Sequence, residues 1–61
     1  MEGNWMEFKG AAKERWGELT EDDLLVVEGR RDKLIGTVQK RYDIDRDAAA
    51  AEVDAWAKAI N

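Results

Sequence analysis

Apolar residues recur along this chain at three- and four-residue steps, in four separate stretches. Trp5, Phe8, Ala12 and Trp16 share one face at helical period, which predicts a first helix from about Trp5 to Trp16. Asn4 is placed to cap it, with Glu7 at the capping-box position. The second stretch, Leu24 to Val27, is continuous and covers more than half of a helix circumference. It predicts a short helix from Glu21 to about Glu28 that sits centrally among its neighbours and ends or bends at Gly29. Leu34, Ile35, Val38 and Tyr42 form the stripe of a third helix, from about Arg30 to Tyr42. Ala49, Val53, Trp56 and Ile60 form that of a fourth, capped by Asp45 and running to about Ile60. The alanines from Ala48 to Ala51 favour this helix without enlarging the core. Asp54 and Lys58 stand at i,i+4 as a favourable pair. Gly10 costs about 1 kcal/mol against Ala in a helix interior, which marks either close approach by a neighbouring helix or a tolerated cost, and Gly36 again offers a place for close packing.

The junction from Trp16 to Leu24 organises the rest. Gly17 is expected to close the first helix in the left-handed conformation, where the lack of a Cβ removes the clash. Thr20 is expected to cap the second, its hydroxyl accepting from the Asp23 N–H while the Asp23 carboxylate reaches back. Leu19 and Leu24 have the spacing of a hydrophobic staple. Glu21, Asp22 and Asp23 lie at the positive end of the new helix.

No stretch alternates with a strand period, and the connections are two to four residues long. The fold class is therefore all-α: a compact bundle of four short helices, expected as two orthogonally packed helical hairpins. Sixty-one residues make one domain, 1–61, with a small core and no room for a deep cleft.

Composition narrows the chemistry. The chain contains no His, Cys, Ser or Pro. Serine–histidine and cysteine–histidine nucleophile pairs are excluded, as are thiolate and imidazole metal sites. Without cysteine, a reducing, cytoplasmic setting is the natural expectation. The longest apolar run has four residues, far short of a membrane span, and the first residues lack the apolar core of a signal peptide. The net charge of −4 argues against a general binder of nucleic acid or anionic membrane.

Several constellations remain. Asp22 and Asp23 are adjacent, so on a helix they point in different directions and make no acid–base pair. Asp43, Asp45, Asp47 and Asp54 match positions 1, 3, 5 and 12 of a calcium loop, but Ala48 stands where that loop needs glycine. Helix capping by Asp45 and dipole stabilisation by Asp47 explain the same acids, so no metal or other cofactor is expected. Trp5, Trp16 and Trp56 lie on apolar stripes and read as core rather than as stacking platforms. Arg30, Lys33, Lys40 and Arg41 gather around Thr37 on the polar side of the third helix, a candidate phosphate-tracking face. Against that use, acids outnumber bases 14 to 10, and the simpler reading is a solvated face opposite the acidic second helix.

The segments Asn4-Trp5, Phe8-Lys9-Gly10, Lys13, Trp16 to Leu24, Glu28 to Gly36 and Gln39 to Tyr42, in this order, resemble the CsbD-like family of small bacterial stress proteins. The resemblance covers nearly the whole chain. It implies a single short helical domain similar to SAM-like domains and linked to general or osmotic stress, and it carries no catalytic or binding residue with it. Asp43 departs from the glycine of many relatives, so a left-handed turn there rests on a residue that tolerates it less freely. The alanines Ala48 to Ala51 replace residues that are often charged. The expected function is a non-enzymatic, cytoplasmic, stress-associated interaction domain with a protein partner the sequence does not name. The alternative is weak nucleic-acid binding through Arg30, Lys33, Lys40 and Arg41.

Overall fold

A computed structural model describes residues 4–60. Its helices are α1 (Trp5–Arg15), α2 (Glu21–Val27), α3 (Arg31–Tyr42) and α4 (Arg46–Ala59). Among the described residues there is no strand. The radius of gyration, 10.2 Å, is close to the ~10.5 Å expected of a compact domain of this length. All four helices feed one core: Ala12 from α1, Leu24 and Val27 from α2, Leu34, Ile35 and Val38 from α3, Ala49, Val53 and Trp56 from α4. Trp16 and Leu19, from the junction between α1 and α2, complete it. The fold is the all-α four-helix bundle the pattern predicts.

The aromatic residues anchor the packing of α1 on α4. Trp16 is 1% exposed and meets Trp56 edge to face at 5.1 Å, and Phe8 meets the same ring at 6.1 Å. The Trp16 indole N–H donates to Glu52 Oε1 at 3.1 Å, so a large side chain is buried with its one polar atom satisfied. Trp5 is half-buried and packs against the core. Tyr42 and Ile60, expected on apolar stripes, are instead 37% and 38% exposed. The Tyr42 hydroxyl lies at the surface because it accepts from the backbone N–H of Glu18, pinning the junction to the end of α3.

The helix ends follow local chemistry in part. Thr20 Oγ1 accepts from the Asp23 N–H at 3.1 Å, and Asp23 Oδ2 accepts from the Thr20 N–H at 3.0 Å, a complete capping box. Leu19 and Leu24 both reach the core, as a staple requires. Asp45 caps α4 by accepting from the Ala48 N–H at 2.7 Å. Asn4 precedes α1 without a side-chain cap bond, its backbone lying outside the extended region that aims such a side chain at the helix. At the end of α2, Glu28 (φ 47°) and Gly29 (φ 78°) both turn left-handed. Asp43 does so at the end of α3 (φ 52°), where its own N–H and that of Ile44 converge on the Gln39 carbonyl.

Three glycine expectations are corrected. Gly17 does not take a positive φ. The chain leaves α1 through a non-helical Trp16 (φ −122°, ψ 84°) and a turn closed by the Leu19 N–H on the Trp16 carbonyl at 3.1 Å. Burial of the Trp16 ring sets that exit, so no left-handed residue is needed. Gly10 and Gly36 mark no close approach: a Cβ at either would meet nothing within 4 Å. The second helix is also less enclosed than expected. Leu24 and Val27 are buried, but Leu25 and Val26 are 61% and 60% exposed, because neighbours cover only one side of it.

Two expectations follow for urea melts. Trp16→Ala should cost about 3–5 kcal/mol and Thr20→Ala about 1, while Gly17→Val should stay within about 0.5. Gly10→Ala and Gly36→Ala should each stabilise the domain by about 0.5–1 kcal/mol, by easing the propensity penalty where there is space for a methyl group. A loss at either site would mean that the added methyl meets a neighbour.

Candidate interaction surface on α2 and α3

The charged residues divide into those spent on holding helices together and those left facing outward. Asp23 belongs to the first group twice over. Besides closing the capping box, its carboxylate takes a two-pronged bond from Arg41, with Nε at 2.7 Å and Nη2 at 3.0 Å. Arg41 first, and then the Thr20 backbone N–H, hold the Asp23 carboxyl down to about 2 from an ordinary 3.8. On the other flank of α2, Glu21 accepts from Lys9 at 2.9 Å and Lys13 at 3.2 Å of α1, which lower its pKa. The start of α2 is thus clamped to α1 on one side and to the end of α3 on the other.

Two further pairs tie α4 into the bundle. Asp54 takes Arg31 Nε at 2.6 Å and Nη2 at 2.7 Å, and this bond depresses the carboxyl. The expected i,i+4 partner, Lys58, is displaced because the guanidinium offers two parallel donors from the start of α3. Glu52 accepts from Arg15 at 3.2 Å as well as from Trp16, and the Arg15 guanidinium lies 5.1 Å from the Trp16 ring centroid.

These bonds decide what the sequence candidates can do. Of the calcium-template acids, Asp54 is held by Arg31, Asp45 caps α4 and Asp43 forms the left-handed end of α3. Among the described residues, no group of three or more acidic side chains is gathered to hold a metal ion. Of the four basic candidates, Lys33 and Lys40 come together on one open groove, whose other walls are Asp23, Val26, Gly36 and Thr37. Thr37 donates its hydroxyl to the Lys33 carbonyl, which leaves the groove floor small and quiet. Arg41 is turned away onto Asp23, and Arg30 is exposed at the residue preceding α3. Neither Lys33 nor Lys40 has a carboxylate partner among the described residues.

Sequence reasoning missed the other half of this surface. Residues step about 100° around a helix, so four consecutive apolar residues cannot all face one core. Leu24 and Val27 point inward, which sends Leu25 and Val26 outward beside exposed Asp22. The signal was present in the shortness of the helix: seven residues are too few to be packed on every side. The result is an apolar ridge on α2 with an acid on it, next to a shallow groove with two unpaired lysines.

Known proteins resemble this chain in sequence over almost its whole length. The sequence pattern described as CsbD-like matches residues 1–51. The UPF0337 protein YjbJ of Escherichia coli O6:H1 is 54% identical over 56 residues, spanning 92% of this chain and 81% of its own. The UPF0337 protein ECA0631 of Pectobacterium atrosepticum is 57% identical over 54 residues, 88% of this chain and 78% of its own. The UPF0337 protein NE2439 of Nitrosomonas europaea is 46% identical over 57 residues, 93% of this chain but 61% of its own.

The Asp23 pairing has a pH signature. A depressed carboxyl contributes stability that is present above its unfolded value, 3.8, and is lost as pH falls toward 2. Arg41 is 39% exposed on its side chain, so solvent screening reduces the contribution to about 1 kcal/mol. Urea melts at pH 5, 4, 3 and 2 should show Asp23→Asn less stable than the parent at pH 5, with the gap narrowing steadily as pH falls toward 2. A constant offset across the series would show that Asp23 titrates alike in the folded and unfolded states.

Proposed function

The chain belongs to the CsbD-like family, and from that premise we propose that it is a non-enzymatic, stress-associated protein that works in the cytoplasm by binding another macromolecule through α2 and α3. The observation that carries this reading is the ridge of Leu25 and Val26, two adjacent large apolar side chains 61% and 60% exposed on one helix; Met6, 81% exposed, stands apart on α1. Catalysis has little to draw on: there is no His, Cys or Ser, and the carboxylates of Glu21, Asp23, Glu52 and Asp54 are committed to helix-to-helix bonds. The cytoplasmic setting accords with a chain free of cysteine and with the fact that no described helix is long and apolar enough to cross a membrane. The link to stress comes from the family resemblance.

One observation favours nucleic acid as the second reading: Lys33 and Lys40 share a groove and are unpaired among the described residues. The loss of Arg41 to Asp23 and a net charge of −4 weigh against it. Both readings are testable. A strain lacking the gene should survive osmotic upshift less well and be restored by the wild-type chain. A Leu25→Ser/Val26→Ser variant should fail to restore it, although its stability stays within about 0.5 kcal/mol of the parent. Full restoration by that variant would remove the interaction reading. Duplex DNA binding that falls steeply with salt and disappears in Lys33→Ala/Lys40→Ala would favour the second.

A further inference from the structure

The α2 ridge and the α2–α3 groove lie side by side on one surface and are complementary to each other, and we propose that they pair two copies of this chain in a two-fold dimer. This deepens the interaction reading above and rests on it. A two-fold interface uses the same patch twice, so the patch must fit itself. Here the ridge carries Leu25 and Val26 with exposed Asp22 one turn away; Val26 also forms the near wall of the groove, which carries Lys33 and Lys40 around the bare backbone of Gly36 and whose one acid, Asp23, is held by Arg41. Lys33 and Lys40 are seven residues apart on α3, about 10 Å along its axis, so they bracket a helix laid across them. The Gly36 position has open space where a Cβ would stand, which allows an apolar side chain to approach the backbone closely.

Charge selects the occupant. Of the acids beside the ridge, Glu21 is held by Lys9 and Lys13 and Asp23 by Arg41, while Glu28 lies at the far end of α2, exposed at its left-handed C-cap. Asp22 stands between Glu21 and Asp23 and has no basic partner among the described residues, just as Lys33 and Lys40 have no acidic one. In the dimer, Asp22 of each copy faces the two lysines of the other, and the apolar ridge of each enters the other's groove. Size sets the strength. A standard interface takes about 800 Å² from each partner, roughly a fifth of this domain's 4077 Å² surface. One ridge and one groove supply less, so the dimer is a weak one, with a dissociation constant of about 10 μM to 1 mM.

Sedimentation equilibrium of the full chain from 10 μM to 1 mM tests this directly. The expected result is an apparent mass that rises toward that of two chains and falls back when salt is raised from 50 to 500 mM. Leu25→Ser/Val26→Ser should weaken association at least tenfold. Asp22→Lys alone and Lys33→Glu/Lys40→Glu alone should each be monomeric, because each puts like charges together at both symmetry-related contacts. Mixed in equal amounts, the two variants should recover association, because the mixed dimer restores an opposite-charge contact at both places. Circular dichroism of each variant confirms that it remains helical. A monomeric parent at 1 mM overturns the proposal, and so does a dimer that the ridge variant leaves unchanged or that the mixture fails to recover. A monomeric parent whose ridge variant still fails to restore stress survival would point to a different partner, leaving the interaction reading intact.

Discussion

An indole can be buried only if its N–H finds an acceptor, and in this domain that requirement falls on Trp16. Glu52 meets it from the middle of α4, and the same carboxylate oxygen takes the Arg15 guanidinium that lies against the Trp16 ring. With Trp56 edge-on to the ring, the end of α1 has one place to sit on α4. The chain then leaves the helical conformation at Trp16, the Leu19 N–H closes on the Trp16 carbonyl, and Thr20 is delivered to start α2. The direction of the second helix is therefore set by how the last aromatic residue of the first one is buried.

A small domain gains stability by using its polar groups more than once. Asp23 is both the third residue of a capping box and the partner of Arg41, eighteen residues away. Glu52 satisfies the buried indole and an arginine at the rim. Exposed ion pairs contribute little singly, but these join helix ends, where a charge also meets the helix dipole or an otherwise unmet backbone donor. The same economy removes groups from function. Arg41 looked like a free cation from its helical position, yet its two donors are taken by Asp23. On the face shared by α2 and α3, Asp22 on one side and Lys33 with Lys40 on the other are among the charges the framework has not used.

Local chemistry was readable before the fold was known. The four helices follow from apolar period, the starts of α2 and α4 from Thr20 and Asp45, and the end of α2 from Gly29. The failures share a cause: they depend on residues distant in sequence. Lys58 is near Asp54 along the chain, but Arg31, 23 residues away, arrives with a better geometry. Tyr42 seemed a core residue by period, and its hydroxyl is drawn to the surface by a backbone N–H 24 residues away. Gly17 was assigned a left-handed turn on propensity alone, whereas the left-handed positions fall at Glu28, Gly29 and Asp43, where α2 and α3 must stop abruptly. Half of the candidate surface, the lysine pair, was visible on a helical wheel. The apolar half was misread as core because a run of hydrophobic residues does not say how many neighbours will be there to cover it.

That run now has a physical account only in part. Isolated helices shorter than about 12 residues are marginal in water, so seven-residue α2 depends on its contacts. Leu24 and Val27 supply them inside, and Glu21 and Asp23 supply them on the flanks. Leu25 and Val26 lie mostly outside this framework, more than half exposed. Val is moreover among the poorer helix formers at an exposed site, where Lys, Gln or Glu would serve the helix better and the solvent better still. Nothing in the folding of one copy calls for large apolar side chains at these two positions. The proposed pairing of two copies would cover them, and the unpaired charges on either side of the ridge, Asp22 on one and Lys33 with Lys40 on the other, are opposite in sign as that pairing requires.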